Sequence, residues 1–163
     1  MAVPEILYYS RIESPVGPLL LVVSDRGLVA LEFPGGRIRE GWVESAEKTA
    51  PYARQMDEYF SGRRRCFDLP LDLRGTEFQQ RCWQELLKIP YGETRSYADI
   101  ARSIGNPAAV RAVGLANGQN PIAIIVPCHR VIGSDGSLTG YGGGLETKRR
   151  LLELEGALSG SLV

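Results

Sequence analysis

Apolar and polar positions divide this chain into two halves of different rhythm. Residues 6–12, 19–23 and 28–33 are short apolar runs, separated by Ser14-Pro15-Val16-Gly17-Pro18 and by Asp25-Arg26-Gly27. Short Val-, Ile- and Leu-rich runs bounded by Gly and Pro are strands, and such brief connections join antiparallel neighbours, so a meander is expected. Over residues 51–60 the interval lengthens, with Tyr52, Met56, Tyr59 and Phe60 at helical spacing. Gly62, three consecutive arginines and a short extended run over residues 66–73 complete the first half. The arginine run is read as a solvated surface, with a DNA contact as its alternative.

After Gly75 the period is helical. Thr76 and Gln79 form a capping box, and Phe78, Cys82, Trp83, Leu86 and Ile89 make the buried stripe of a helix that stops at Pro90. Cys82 is thereby expected in the core. Ser96 with Asp99 caps a second helix ending near Gly105, and Asn106-Pro107 opens a third as N-cap and first helical residue. Two short helices joined by Gly-Asn-Pro suggest a helix-turn-helix, although ordinary helical hairpins share that pattern. On the third helix, residues 107–117, Val110, Val113 and Asn117 share one face while Ala108, Arg111, Ala112 and Leu115 share another. The second face, smooth but for one arginine, suits close approach to a DNA minor groove or, as the blander alternative, packing against protein with Arg111 solvated. A last helix over residues 145–155 carries Leu151, Leu152 and Leu154 and closes at Gly156.

Composition narrows the classes. The chain has 163 residues, of which 44% are hydrophobic, enough for one domain or two small ones with a real core. Nineteen basic residues balance nineteen acidic ones, so no global field draws a polyanion and any DNA contact must be local. Residues 75–163 hold nine Lys and Arg against eight Asp and Glu. No apolar run reaches the ~20 residues of a membrane span, and no secretory signal opens the chain, so a soluble cytoplasmic protein with no membrane partner is expected. Three widely spaced cysteines, Cys66, Cys82 and Cys128, with no CxxC pair, argue for reduced thiols and against a disulfide framework or zinc site.

Candidate chemistry lies in the apolar run over residues 122–132, which contains Cys128 and the chain's one histidine, His129. A histidine beside a cysteine offers a base for the thiol proton, and the thiolate is the nucleophile. Adjacent side chains seldom point at one another, so a water relay fits better than direct contact. A purely structural Cys–His pair stays open at this level. Six glycines crowd residues 133–144 around Tyr141, which suits either the wall of a pocket or a flexible surface loop. Glu155 sits at a helix C-terminus, where a carboxylate opposes the helix dipole.

In order along residues 75–156, Gly92-Glu93, Ser96-Tyr97, Arg111-Ala112-Val113-Gly114, Asn120-Pro121, Pro127-Cys128-His129-Arg130-Val131 and Glu155-Gly156 resemble the O6-alkylguanine-DNA alkyltransferases. The resemblance implies an α+β protein. Residues 1–74 would form a small strand-rich α/β domain, ribonuclease-H-like, and residues 75–163 a helical DNA-binding and alkyl-acceptor domain with a winged-helix-like helix-turn-helix. It implies DNA repair by direct damage reversal: one irreversible transfer of a methyl or other alkyl group from O6-alkylguanine in double-stranded DNA, with O4-alkylthymine as an open second substrate. Cys128 would be the acceptor, His129 its base through a water, Glu155 the carboxylate orienting the imidazole, and Tyr97 the proton donor to the base. Asn120 would hold the turn before the cysteine. Arg111 would fill the space of the flipped nucleotide in the minor groove, with Ala112, Ser96 and Tyr97 as further DNA contacts. Val131, Tyr141, Gly142 and Gly143 would line the base pocket. No metal or organic cofactor is implied; the structural zinc of some relatives lacks ligands here, and a monomer is expected. The family's loop carries a serine in some members where this chain has Gly142. Non-catalytic relatives have tryptophan in place of the cysteine. A cysteine hydrolase and a non-catalytic damage sensor are the rival classes, and the first leaves the Arg111 helix without a purpose, the second Cys128.

Overall fold

The structure, a computed structural model, describes residues 4–158, and the backbone separates into two compact units, Met1–Arg74 and Gly75–Val163. In the first, β1 (Tyr8–Ile12), β2 (Leu19–Val23) and β3 (Leu28–Glu32) form the expected antiparallel meander. All five residues of β2 are buried, which explains its unbroken apolar run: an interior strand covered on both faces needs no alternation. A two-residue strand, β4 (Val43–Glu44), adds in parallel to β1, giving the order β3-β2-β1-β4. Two residues are too few to show a period.

Helix α1 spans Ala46–Phe60 and packs Tyr52, Met56 and Tyr59 toward the sheet. It begins five residues before the expected start at Pro51. The Ser45 side chain accepts from the Lys48 backbone N–H at 3.1 Å and caps it there, while Pro51 sits inside the helix on its exposed face. The extended run over residues 66–73 also differs from expectation. It makes one isolated parallel bridge, Leu71 with Leu28, and is otherwise irregular. Pro70 lacks the N–H a ladder needs, and the segment is held by Gln55, whose side chain bonds both the N–H and the carbonyl of Asp68.

In the second unit α2 (Glu77–Leu86) carries the Thr76–Gln79 capping box and buries Cys82, Trp83 and Leu86, with Ile89 buried just beyond its end and Phe78 half-buried at the edge of the stripe. The Trp83 indole N–H donates to the Ala116 carbonyl at 2.9 Å, joining α2 to α4. Gly75 lies so close to that indole that a Cβ would come within 2.5 Å of the ring. Helix α3 (Tyr97–Ser103) has the reciprocal Ser96–Asp99 cap and ends before Gly105, whose φ of +81° suits glycine. Pro107 opens not the next α-helix but a 3₁₀ turn, Pro107–Ala109, and the Asn106 side chain makes no cap bond. Helix α4 itself is Val110–Gly118 and packs against α2 and α3. Helix α5 (Leu145–Leu154) buries Lys148, Leu151 and Leu152, while Leu154 is partly exposed. Among the described residues no helix is long and apolar enough to cross a membrane.

Candidate active site

Residues 122–130 are all buried. Their backbone is bent rather than extended, and Ile124 takes φ +73°, the left-handed region that a β-branched residue enters only when its surroundings compel it. Asn120 does much of the compelling. Its Oδ1 accepts from the Ile122 N–H at 2.9 Å and its Nδ2 donates to the Val126 carbonyl at 2.8 Å, closing the turn from both ends. Cys128–Arg130 is then a single 3₁₀ turn running into β6 (Val131–Ile132). β6 pairs in parallel with β5 (Arg95–Ser96), which leads straight into Tyr97 at the start of α3. The pairing thereby ties the Tyr97 end of α3 to the strand that follows Cys128. Asn117 of α4 donates to the Cys128 carbonyl at 3.4 Å.

Cys128 is 6% exposed and His129 is fully buried. Burial pushes the thiol up from its ordinary range, opposed by hydrogen bonding from Asn120 and Tyr141 and by the charge of Lys148. The His129 Nε2 lies 2.8 Å from Glu155 Oε2, and its Nδ1 is buried with no hydrogen-bond partner in the protein. A ring whose Nε2 faces a carboxylate carries its proton there, which leaves Nδ1 as a bare acceptor. Glu155 is 4% exposed. Its burial favours the neutral acid, yet hydrogen bonds from His129 and Arg130 outweigh this and bring the carboxyl down to about 2. Desolvation likewise keeps His129 below the usual histidine range in spite of Glu155.

Two charged groups of this site went unread in the sequence. Arg130 binds both oxygens of Glu155, Nε to Oε1 at 2.8 Å and Nη2 to Oε2 at 3.0 Å. Lys148 has no exposed surface, and burial lowers it to about 8. Its ammonium donates to the Thr139 carbonyl at 2.8 Å and stands 5.9 Å and 6.0 Å from the ring centres of Tyr97 and Tyr141. Thr139 Oγ1 in turn donates to the Tyr97 hydroxyl at 3.1 Å. The signals were present: Lys148 lies three and four residues before Leu151 and Leu152 on the apolar face of α5, and Arg130 lies inside the apolar run.

The remaining candidates fall into two groups. Val131 is fully buried beside the cysteine turn and Tyr141 faces the thiol, while Gly143 is half-buried and Gly142 exposed. A Cβ at Gly142 would meet nothing within 4 Å, so the serine of some family members has room there. On α4 and the turn before it Ala108, Arg111, Ala112 and Leu115 are all exposed, Leu115 at 64%. Among the described residues that face packs against nothing within this unit, which argues against the alternative of an internal alanine-rich face. Val110, placed by spacing on one face with Val113 and Asn117, is exposed while those two are buried. Ser96 spends its side chain on the α3 cap.

The sequence profile described as "6-O-methylguanine DNA methyltransferase, DNA binding domain" matches residues 77–157, and that described as "6-O-methylguanine DNA methyltransferase, ribonuclease-like domain" matches residues 7–73. The chain belongs to this family. Among relatives, the methylated-DNA–protein-cysteine methyltransferase of Methanosarcina barkeri is 55% identical over 153 residues, covering 91% of this chain and 97% of that protein. The protein of the same name from Mycobacterium tuberculosis is 55% identical over 152 residues, covering 91% and 92%. The crystal structure of Mycobacterium tuberculosis OGT in complex with DNA superposes with a TM-score of 0.88 at 55% identity, covering 92% of this chain and 93% of that one. As a 6-O-methylguanine DNA methyltransferase family member the chain has the α+β architecture expected and the activity class of DNA repair by alkyl transfer to a protein cysteine.

Proposed function

We propose that this chain repairs O6-alkylguanine by moving the alkyl group irreversibly onto Cys128. The observation that carries the assignment is the buried thiol next to a histidine whose Nε2 is held by Glu155 and whose Nδ1 is bare. A water between the thiol and Nδ1 passes the proton to His129, and Glu155 offsets the imidazolium charge. The sulfur then bonds to the alkyl carbon as the carbon–O6 bond breaks. Because its hydroxyl already accepts from Thr139, Tyr97 keeps its own proton for the departing guanine. The product is a thioether, which has no carbonyl for water to attack, so each molecule acts once.

DNA is the partner, as the complex of the Mycobacterium tuberculosis relative supports. Its approach is through the minor groove, onto the exposed Ala108–Arg111–Ala112 face: small side chains permit close contact, and Arg111 occupies the stack vacated by the flipped base. Residues 75–163 carry the recognition and the chemistry, Val131, Tyr141, Gly142 and Gly143 enclose the base, and the chain works as a cytoplasmic monomer without cofactor.

Incubation with a duplex containing O6-methylguanine, followed by peptide mass mapping, tests the assignment. One stable methyl gain on the Cys128 peptide is expected, with none in Cys128→Ser, which should still bind DNA because serine matches the shape but is a far poorer nucleophile. Cys66→Ser and Cys82→Ala should transfer as the parent does. Methyl transfer by Cys128→Ser, or binding with no mass change in the parent, would refute the assignment.

A further inference from the structure

Glu155 has more work than one histidine gives it. Arg130 reaches it with two nitrogens, at 2.8 Å and 3.0 Å, and its third donates to the Ile89 carbonyl at 2.6 Å, so the guanidinium is fixed at both ends. Its ion lies 5.7 Å from the Tyr91 ring centre, and the residue is only 6% exposed. A planar bidentate Arg–carboxylate pair is stronger and more directional than a histidine's single bond to the same group. His129 therefore shares Oε2 with an arginine rather than owning a carboxylate. We propose that Arg130 is a positioning residue for the transfer reaction, acting through Glu155 to hold His129 as the neutral tautomer with Nε2 protonated and Nδ1 bare.

The chemistry asks for this. A base must arrive without a proton, and a buried histidine facing an unshared carboxylate is drawn toward imidazolium. Arg130 competes for that attraction, yet leaves a carboxylate oxygen to orient the ring and to offset the charge once the thiol proton, passed through water, reaches Nδ1. Among the described residues the charged and titratable groups around His129 are few. Glu155 and Lys148 come from α5 and its cap, Cys128 and Arg130 from its own turn, and α2, the other helix packed on that turn, buries Cys82 as its titratable side chain. Among the charged ones, Lys148 and Arg130 both disfavour imidazolium, and Arg130 also touches Glu155.

The inference rests on the proposed acceptor chemistry, but its test does not need transfer to succeed. His129 is the sole histidine, so its ring nitrogens give unobscured ¹⁵N NMR signals. In the parent at pH 7 one nitrogen, Nε2, should be protonated and the other free. In Arg130→Met the midpoint of His129 should rise by about one pH unit or more, with Arg130→Lys in between. The acid limb of the single-turnover rate on an O6-methylguanine duplex should move by the same amount. On the acid limb, below both midpoints, transfer is then expected to be about tenfold slower, with recovery once the pH stands above both. A parent His129 protonated on both nitrogens at pH 7 would overturn the proposal even if no variant folds. A folded Arg130→Met with unmoved His129 titration, or with one equal rate loss at every pH, would make Arg130 a structural anchor of the Ile89 segment only. Absence of any alkylated Cys128 peptide in the parent would instead defeat the acceptor assignment, leaving the NMR result to stand on its own.

Discussion

At the scale of single residues, Lys148 is the side chain whose stability and function pull apart. A lysine with no exposed surface has given up its hydration, and one hydrogen bond to the Thr139 carbonyl does not replace it. Its folded value of about 8 lies below the ordinary 10.5, so between those values the unfolded chain holds a proton the native one has lost, and stability rises with pH across that window. Below pH 8 the charged form is a burden on the order of 3 kcal/mol by the same linkage. Against this, the ammonium lowers the cost of a thiolate at Cys128. Lys148→Met should therefore raise the urea midpoint at pH 7 by roughly 1–2 kcal/mol of stability, the lost hydrogen bond taking part of the gain, while slowing transfer and lifting the Cys128 thiol pKa. Thiolate absorbance in a Cys66→Ser background reads the last of these. A less stable variant, or an unchanged thiol, would contradict this account.

At the scale of elements, the unit α3–turn–α4 presents the exposed face while its inner side is spent on packing Ile100, Ala101, Val113 and Ala116. Arg111 thus has a role only if something outside the unit meets it. In duplex DNA, Arg111→Ala removes the side chain proposed to fill the vacated stack, so the flipped state loses a contact while the thiol is untouched. Duplex repair should slow markedly, by about tenfold or more if the lost contact is worth ~1.4 kcal/mol. Free O6-benzylguanine, with no stack to open, should react at nearly the parent rate. Parallel single-turnover measurements decide it: equal losses on both substrates would make Arg111 a support of the pocket, and no loss on either would leave it solvated.

At the scale of the whole molecule, the buried site sets the acid limit. Glu155, held at about 2, contributes stability present above its unfolded value near 4.5 and lost as pH falls toward 2. His129 is kept below its ordinary 6.5, so under that pH the unfolded chain takes up a proton the native one refuses. Both effects have one sign. Stability should begin to fall below pH 6.5 and steepen below 4.5, and in Glu155→Gln the steeper part should flatten; urea midpoints at pH 7, 5.5 and 4 provide the check. A flat profile from 7 to 4 would contradict the buried, ionised network.

Local chemistry written in consecutive residues was legible at once: the capping boxes at Thr76 and Ser96, the apolar run of β2 and the Cys128-His129 pair all act within a few positions, whereas the turn at Asn120 came from the family resemblance. Family resemblance extended this to Tyr97, Arg111 and Glu155, which lie far from Cys128 in the chain. What sequence alone left open was decided by packing. The true start of α1 depended on a serine cap outweighing an internal proline, and β4 on an edge that only the finished sheet offers. Arg130 and Lys148 carried no assigned role in the sequence, and tertiary structure buries both. Burial is what gives them meaning, since a charge removed from water must find a partner, and the partners here, Glu155 and the Cys128 thiol, are brought within reach only when α5 closes over the cysteine turn.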